Sequence, residues 1–148
     1  MNIKKIFKII LYLLPWFLST LIFKMDTNHY NNLIKPPFSP PPITFAIVWP
    51  ILYLLITISI YKVFNISNNK YKITLLINYI SNQLFSLFFF TIKNNVLSLI
   101  DTIIVLISSI YLYRETKKID DKSSKYLIPY ILWNIFATIL ISSILILN

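Results

Sequence analysis

The sequence predicts an all-α integral membrane protein, a bundle of five transmembrane helices forming a single domain. Apolar residues fill 57% of its 148 positions and mean hydropathy is +0.70, more apolar side chain than a soluble domain of this size could hide. The apolar residues fall in five runs, each close to the ~20 residues with which a helix crosses a ~30 Å hydrocarbon core. No run shows the sustained period-two alternation of a transmembrane barrel strand. The runs place helices at about 6–23, 43–64, 73–92, 96–113 and 126–147 of a single membrane domain over 1–148, with a long connection over 24–42.

The first run follows a short basic start containing Lys4, Lys5 and Lys8. A charged start before an apolar stretch also suits a signal peptide. This run is long for one, however, Pro15-Trp16-Phe17 interrupts it, and no small-x-small cleavage site follows at Ser19-Thr20-Leu21. It is read as a retained span, with Trp16 expected on the membrane-facing or interfacial side. Five prolines then fall between Lys35 and Pro42. Each fixes φ and removes a backbone donor, so this stretch is a stiff cap rather than a helix interior. It leads without a polar break into the second run, Ile43 to Phe64.

Asn65 to Lys72 reads as a short polar loop, and Lys93-Asn94-Asn95 as a tight turn. Arg114 to Lys125 is the most charged segment and is read as a loop outside the hydrocarbon. Pro129 falls in the first turn of the last helix, where its missing N–H costs little.

The formal net charge is +9. Eleven of the fourteen Lys and Arg residues belong to the N-terminus, the 65–72 loop with Lys62, and the 114–125 segment; Lys24, Lys35 and Lys93 lie opposite. Short loops follow the positive-inside bias, so the N-terminus is expected in the cytoplasm and the C-terminus and proline-rich loop outside. The basic side is expected to meet anionic headgroups of the lipid bilayer, and no nucleic acid is needed to explain the charge.

Cysteine and glycine are both absent, which excludes disulfides, thiolate chemistry and a glycine phosphate loop. No serine nucleophile motif appears. His29, the only histidine, stands near Asp26 without the ligand number or spacing of a metal site. No metal and no cofactor is assigned.

The third run holds Asn78, Ser81, Asn82, Gln83 and Ser86, and Asn78, Asn82 and Phe89 share a face at helical spacing. Amides in hydrocarbon are costly unless bonded, so this face should turn inward, either as interhelical glue or as a ligand site. Gln83 points elsewhere, toward a second helix or a dimer partner. Asp101 is the only acidic residue well inside a run, and a structural pairing competes there with proton or cation binding. A lone carboxylate is weak evidence for catalysis. In the fifth run Trp133 and Ala137 share a face flanked by Tyr130 and Phe136, suited to a flat apolar ligand or to ordinary packing. Trp49 and Tyr53 supply a second aromatic face.

Three segments carry a resemblance: HYNNLIKPPFSPPPITFAIVWPILY, NYISNQLFSLFFF and IPYILWNIFATILISSILILN. The first resembles W-Y-x-x-L-x-K-P-x-[FW]-x-P-P-x-W-x-F-G-x-V-W-x-x-L-Y of the TspO/MBR family, the tryptophan-rich sensory proteins related to the mitochondrial translocator protein or peripheral benzodiazepine receptor. The others resemble that family's third and fifth helices, and Asp101 matches an acidic position of its fourth. The resemblance implies a five-helix bundle, often a homodimer, in a bacterial cell membrane. It also implies a cavity beneath the first loop that takes porphyrins, such as protoporphyrin IX, or other flat hydrophobic small molecules. Carried onto this chain, Tyr30 and Pro41 would close the cavity, and Trp49, Tyr53, Asn78, Asn82, Trp133 and Ala137 would line it. His29, Ile43, Ala46 and Pro50 depart from the family pattern, as does Ile141 beside Leu140. The function implied is a porphyrin-binding membrane receptor or sensor. The alternatives are a transporter of tetrapyrroles or other small apolar molecules, and a light- and oxygen-dependent porphyrin-degrading enzyme acting through Trp49 and Trp133. A purely structural membrane protein would bind no saturable ligand.

Overall fold

The structure is a computed structural model that describes residues 3–148; Met1 and Asn2, the first residues of the basic N-terminal segment and of the 1–148 domain, lie outside the described residues. Among the described residues every regular element is helical. Within these residues five helices are long and apolar enough to cross a membrane: Ile3–Ile22, Pro42–Ile66, Asn69–Thr91, Asn95–Ile119 and Asp121–Leu147. They are numbered here as the first to fifth spans.

Several helices outrun their apolar runs. The fourth continues to Ile119, and the segment read as a charged loop is almost entirely helical, broken only at Asp120. Its Lys and Glu residues are good helix formers, and acid–base pairs run along it, Lys118 with Glu115 at 2.7 Å and Lys125 with Asp121 at 3.5 Å. The Asp120 carboxylate accepts the Lys122 N–H at 3.1 Å and restarts the helix. The 65–72 loop contracts in the same way, because Asn68 accepts the Tyr71 N–H at 2.9 Å and starts the third span at Asn69. The long connection contains a short helix, Thr27–Asn32, capped by Asp26.

The first span is an α-helix over Ile3–Leu13, a 3₁₀ turn over Leu14–Phe17 and an α-helix over Leu18–Ile22. Pro15 explains the change of winding, since it cannot donate to the ladder and its ring crowds the preceding turn. The break leaves backbone groups that hydrocarbon cannot solvate, and the third span supplies their partners. Gln83 Oε1 accepts the Ser19 N–H at 2.7 Å, and Gln83 Nε2 donates to the Trp16 carbonyl at 3.3 Å. The Tyr79 hydroxyl donates to the Pro15 carbonyl at 2.9 Å. Gln83 therefore serves another helix of the same chain.

The expectation for Trp16 is overturned. It is only 2% exposed, stacked on Tyr53 with ring centroids 5.5 Å apart and edge-on to Tyr79 at 5.2 Å. The turn at Pro15 presents this ring to the bundle while Leu11, Leu14 and Leu21 remain exposed.

The third span ends in a π-helical turn, Leu87–Thr91. Lys93 then adopts φ 59°, the left-handed conformation that glycine usually supplies at a helix end. Asn94 accepts the Leu97 N–H at 3.0 Å and starts the fourth span. The third, fourth and fifth spans pack in sequence, and the first lies against the second and third. One apolar core gathers Tyr53, Ile56, Tyr71, Leu112 and Tyr130. A second joins Tyr30 of the loop helix to Phe89, Leu140, Ile141 and Ile144.

If Gln83 is the partner of the broken first span, Gln83→Leu strands two buried backbone groups at nearly constant volume. Stability should fall by about 1–3 kcal/mol per stranded group, read as a lower thermal midpoint in detergent. A midpoint matching the parent protein would show that the amide does not fulfil this role.

Candidate functional site

Below the proline-rich loop, all five spans enclose a cavity of about 290 Å³, the fourth contributing Thr102 and Val105. Its wall is mostly aromatic and aliphatic. Tyr30, Trp49, Tyr53, Asn82, Trp133 and Ala137 lie on it, so six of the eight residues singled out from the sequence are brought together. Pro41 and Asn78 are not on this wall. Thr20 and Ala46 are exposed and also belong to the wall, so the cavity is open on one side between the first two spans.

The rings form a continuous group. Trp49 meets Trp133 edge to face at 6.4 Å and lies 5.5 Å from Tyr53. Phe45 reaches Trp133 at 6.0 Å and Tyr30 at 5.5 Å, linking the wall to the loop. Separations of this kind suit edge-to-face and offset packing and leave ring faces for a flat ligand.

An amide and phenol network fixes this wall from behind. Asn82 Oδ1 accepts the Tyr53 hydroxyl at 3.0 Å, and Asn82 Nδ2 donates to the Tyr130 hydroxyl at 3.2 Å. Tyr130 donates in turn to Asn78 Oδ1 at 3.1 Å. Asn78 Nδ2 donates to Ser108 Oγ at 2.9 Å and to the Val105 carbonyl at 3.2 Å. Asn78 has no exposure and both ends of its amide are engaged, so in this geometry it ties three spans together. Asn82 does the same while also reaching the cavity.

One buried N–H group on the wall, Trp133 Nε1, lacks a partner among the described residues, while the Asn134 amide bears on the Tyr130 hydroxyl. Native structures seldom leave such a donor unused, so the cavity offers it to a ligand that carries an acceptor. Sequence reasoning missed Asn134, although an amide within the strongly apolar run 126–147 is itself a signal. Phe45 and Leu140 on the wall were also missed as site residues, and only the turn of their helices distinguishes them from other apolar positions, whereas Phe89 lies on the face the spacing shares with Asn82. Asp101 is buried but not on the wall, with Oδ2 unpartnered among the described residues. Among those residues no group of three His, Cys, Asp or Glu side chains could hold a metal.

The loop is fastened over the cavity at several points. The Tyr30 hydroxyl donates to the Pro40 carbonyl at 2.9 Å, and burial raises its pKa. Lys35 Nζ donates to the carbonyls of Tyr30, Asn31 and Leu33 at 2.8, 2.9 and 2.9 Å, satisfying the end of the short helix. Lys93 Nζ meets Asp26 Oδ2 at 2.9 Å, and Asp26 Oδ1 accepts the His29 N–H at 3.0 Å. The hydrogen bond from Lys93 holds the Asp26 carboxyl below the usual carboxylate range. Burial pushes the His29 imidazole down and Lys93 adds to the effect, against a smaller opposing pull from Asp26.

The TspO/MBR family model matches residues 8–147. The chain is 41% identical over 123 residues to the uncharacterized membrane protein YtaB of Bacillus subtilis, covering 80% of this chain and 79% of that one. It is 36% identical over 128 residues to the tryptophan-rich protein TspO of Bacillus cereus, covering 84% of each. With the protein of the same name from Archaeoglobus fulgidus it shares 32% identity over 126 residues, covering 80% of this chain and 79% of the other.

The Asp26 bridge gives the loop a pH dependence of definite sign. A carboxyl whose folded pKa is lowered stabilises the folded loop above its unfolded value, near 3.8, and ceases to do so as pH falls through the lowered folded value. Amide exchange across Thr27–Asn32, corrected for intrinsic rate, should therefore accelerate as pH falls below about 4. In Lys93→Gln it should already be fast at neutral pH. Equal protection in the two proteins would show that the bridge does not hold the loop.

Proposed function

The chain belongs to the TspO/MBR family and is a multi-pass membrane protein, and from that premise we propose that it is a membrane receptor or sensor for porphyrins and similar flat hydrophobic ligands. The observation that carries the reading is the aromatic cavity under the loop, with Trp49 and Trp133 on its wall. A planar macrocycle would lie against these rings through dispersion and stacking, and a peripheral acceptor would find the unpartnered N–H of Trp133. The open side between the first two spans gives a ligand dissolved in the bilayer a route that avoids water. The distribution of Lys and Arg supports a cytoplasmic N-terminus, with the loop and C-terminus on the outer face.

One arrangement favours a second reading, light- and oxygen-dependent degradation of the bound porphyrin. Trp49, Trp133 and Tyr53 are contiguous electron-rich rings beside the same space, placed to exchange an electron with an excited macrocycle.

Titration with protoporphyrin IX in darkness, followed by tryptophan quenching and the Soret band, tests the first reading. Binding should saturate near one ligand per chain. Trp133→Phe removes a donor, and Ala137→Leu fills the notch beside it; each should weaken binding roughly tenfold, the scale of ~1.4 kcal/mol. Unsaturable binding, or affinity unmoved by both changes, would remove the cavity as the site. Illuminating the saturated complex in air tests the second reading. Bleaching that slows in Trp49→Phe supports degradation, and a stable Soret band excludes it.

A further inference from the structure

We propose that the groove between the third and fourth spans, at the end carrying Lys70 and Arg114, is a binding site for an anionic phospholipid. Its centre is Glu115, only 4% exposed, which holds Lys118 at 2.7 Å and Lys70 of the neighbouring span at 3.3 Å. A buried carboxylate bonded to two ammonium groups fixes cations that would otherwise sweep a wide volume. Lys70, Tyr111, Arg114, Lys117 and Lys118 surround one recess with it. Among the described residues Arg114 has no acidic partner and lies over the Tyr111 ring at 5.9 Å, while Lys117 has a single, distant one, Asp121 at 3.9 Å. Four cations against one carboxylate leave an excess of three positive charges around the recess. The guanidinium supplies the planar fork that suits phosphate oxygens.

The surface below the recess identifies the ligand as a lipid rather than a free anion. Ile73 and Ile77 follow Lys70 at three- and seven-residue spacing on the third span, and both are exposed. On the fourth span Ile104, Ile107 and Tyr111 precede Arg114 on one exposed stripe. The Lys70–Glu115 pair and the Asn78 bonds to Val105 and Ser108 set these helices antiparallel in a register that brings the two stripes side by side. An apolar track leading from a cationic recess, with a tyrosine between them, matches a phospholipid: acyl chains along the isoleucines, glycerol beside the ring, phosphate among the cations.

Native mass spectrometry of the detergent-purified protein, with phosphatidylglycerol or phosphatidylcholine added, tests the assignment. Arg114→Gln with Lys117→Gln removes two exposed cations and leaves the Glu115 bonds intact. The parent should retain phosphatidylglycerol in preference to phosphatidylcholine, and the double variant should retain it roughly thirtyfold less, in keeping with two cations lost at a membrane surface. Ile107→Ser should weaken retention with the cations in place. Equal retention of the two lipids, or no change in the double variant, would overturn the proposal. So would displacement by glycerol phosphate at the same concentration as the lipid, which would mark a site for free anions. A change from dimer to monomer in Ile107→Ser, with lipid retention unaltered, would make the stripe a subunit contact instead and equally overturn it.

Discussion

Hydrocarbon offers no partner to a polar group, and the bundle is organised around meeting that demand from within. Asn78, Asn82 and Gln83 lie within six consecutive residues of the third span, and their amides reach every other span. Gln83 completes the interrupted backbone of the first. Asn82 holds Tyr53 of the second and Tyr130 of the fifth, and Asn78 holds Tyr130 and the fourth. In a chain without glycine the helices cannot approach through bare backbone contacts, so directional bonds take over much of the alignment that small-residue notches give elsewhere. The cavity follows from this arrangement. Side chains as large as tryptophan can stand apart around empty space only where the helices behind them are held in place.

The same network shows how far the sequence could be read. Five spans were legible because length and apolarity are counted directly, and the inward face of the third was legible because amides are costly in lipid. The direction of each bond was not. Asn78 and Asn82 are equivalent by type and spacing, yet only Asn82 reaches the cavity. Their difference is one helical turn, and where a turn stands relative to a neighbouring helix is a property of packing. Trp16 was misplaced for a related reason: a proline in an apolar run signals a break, but not the rotation that follows it. Helix ends were misjudged because hydropathy reports where lipid stops, whereas helices stop where a cap is available, as at Asn68 and Asp120.

The charged residues divide into two populations. Near the loop, Lys35 and Lys93 are engaged with helix carbonyls and with Asp26, and act as fasteners. At the other end Lys70, Arg114, Lys117 and Lys118 outnumber their acidic neighbours and project outward. Net charge alone cannot separate these roles, since a lysine matched by its own acceptor and one that shares a carboxylate with other cations count equally. The distinction needs the position of each carboxylate.

The turn at Lys93 joins two demands that oppose each other. A left-handed backbone disfavours any residue with a Cβ by roughly 1–2 kcal/mol, and glycine would relieve that, but only a long cation can reach Asp26 from this position. Relaxing the turn and keeping the tether are therefore mutually exclusive at this residue. Selection acting there must weigh the rigidity of a hairpin between two spans against the closure of a loop over the cavity, and one codon settles both.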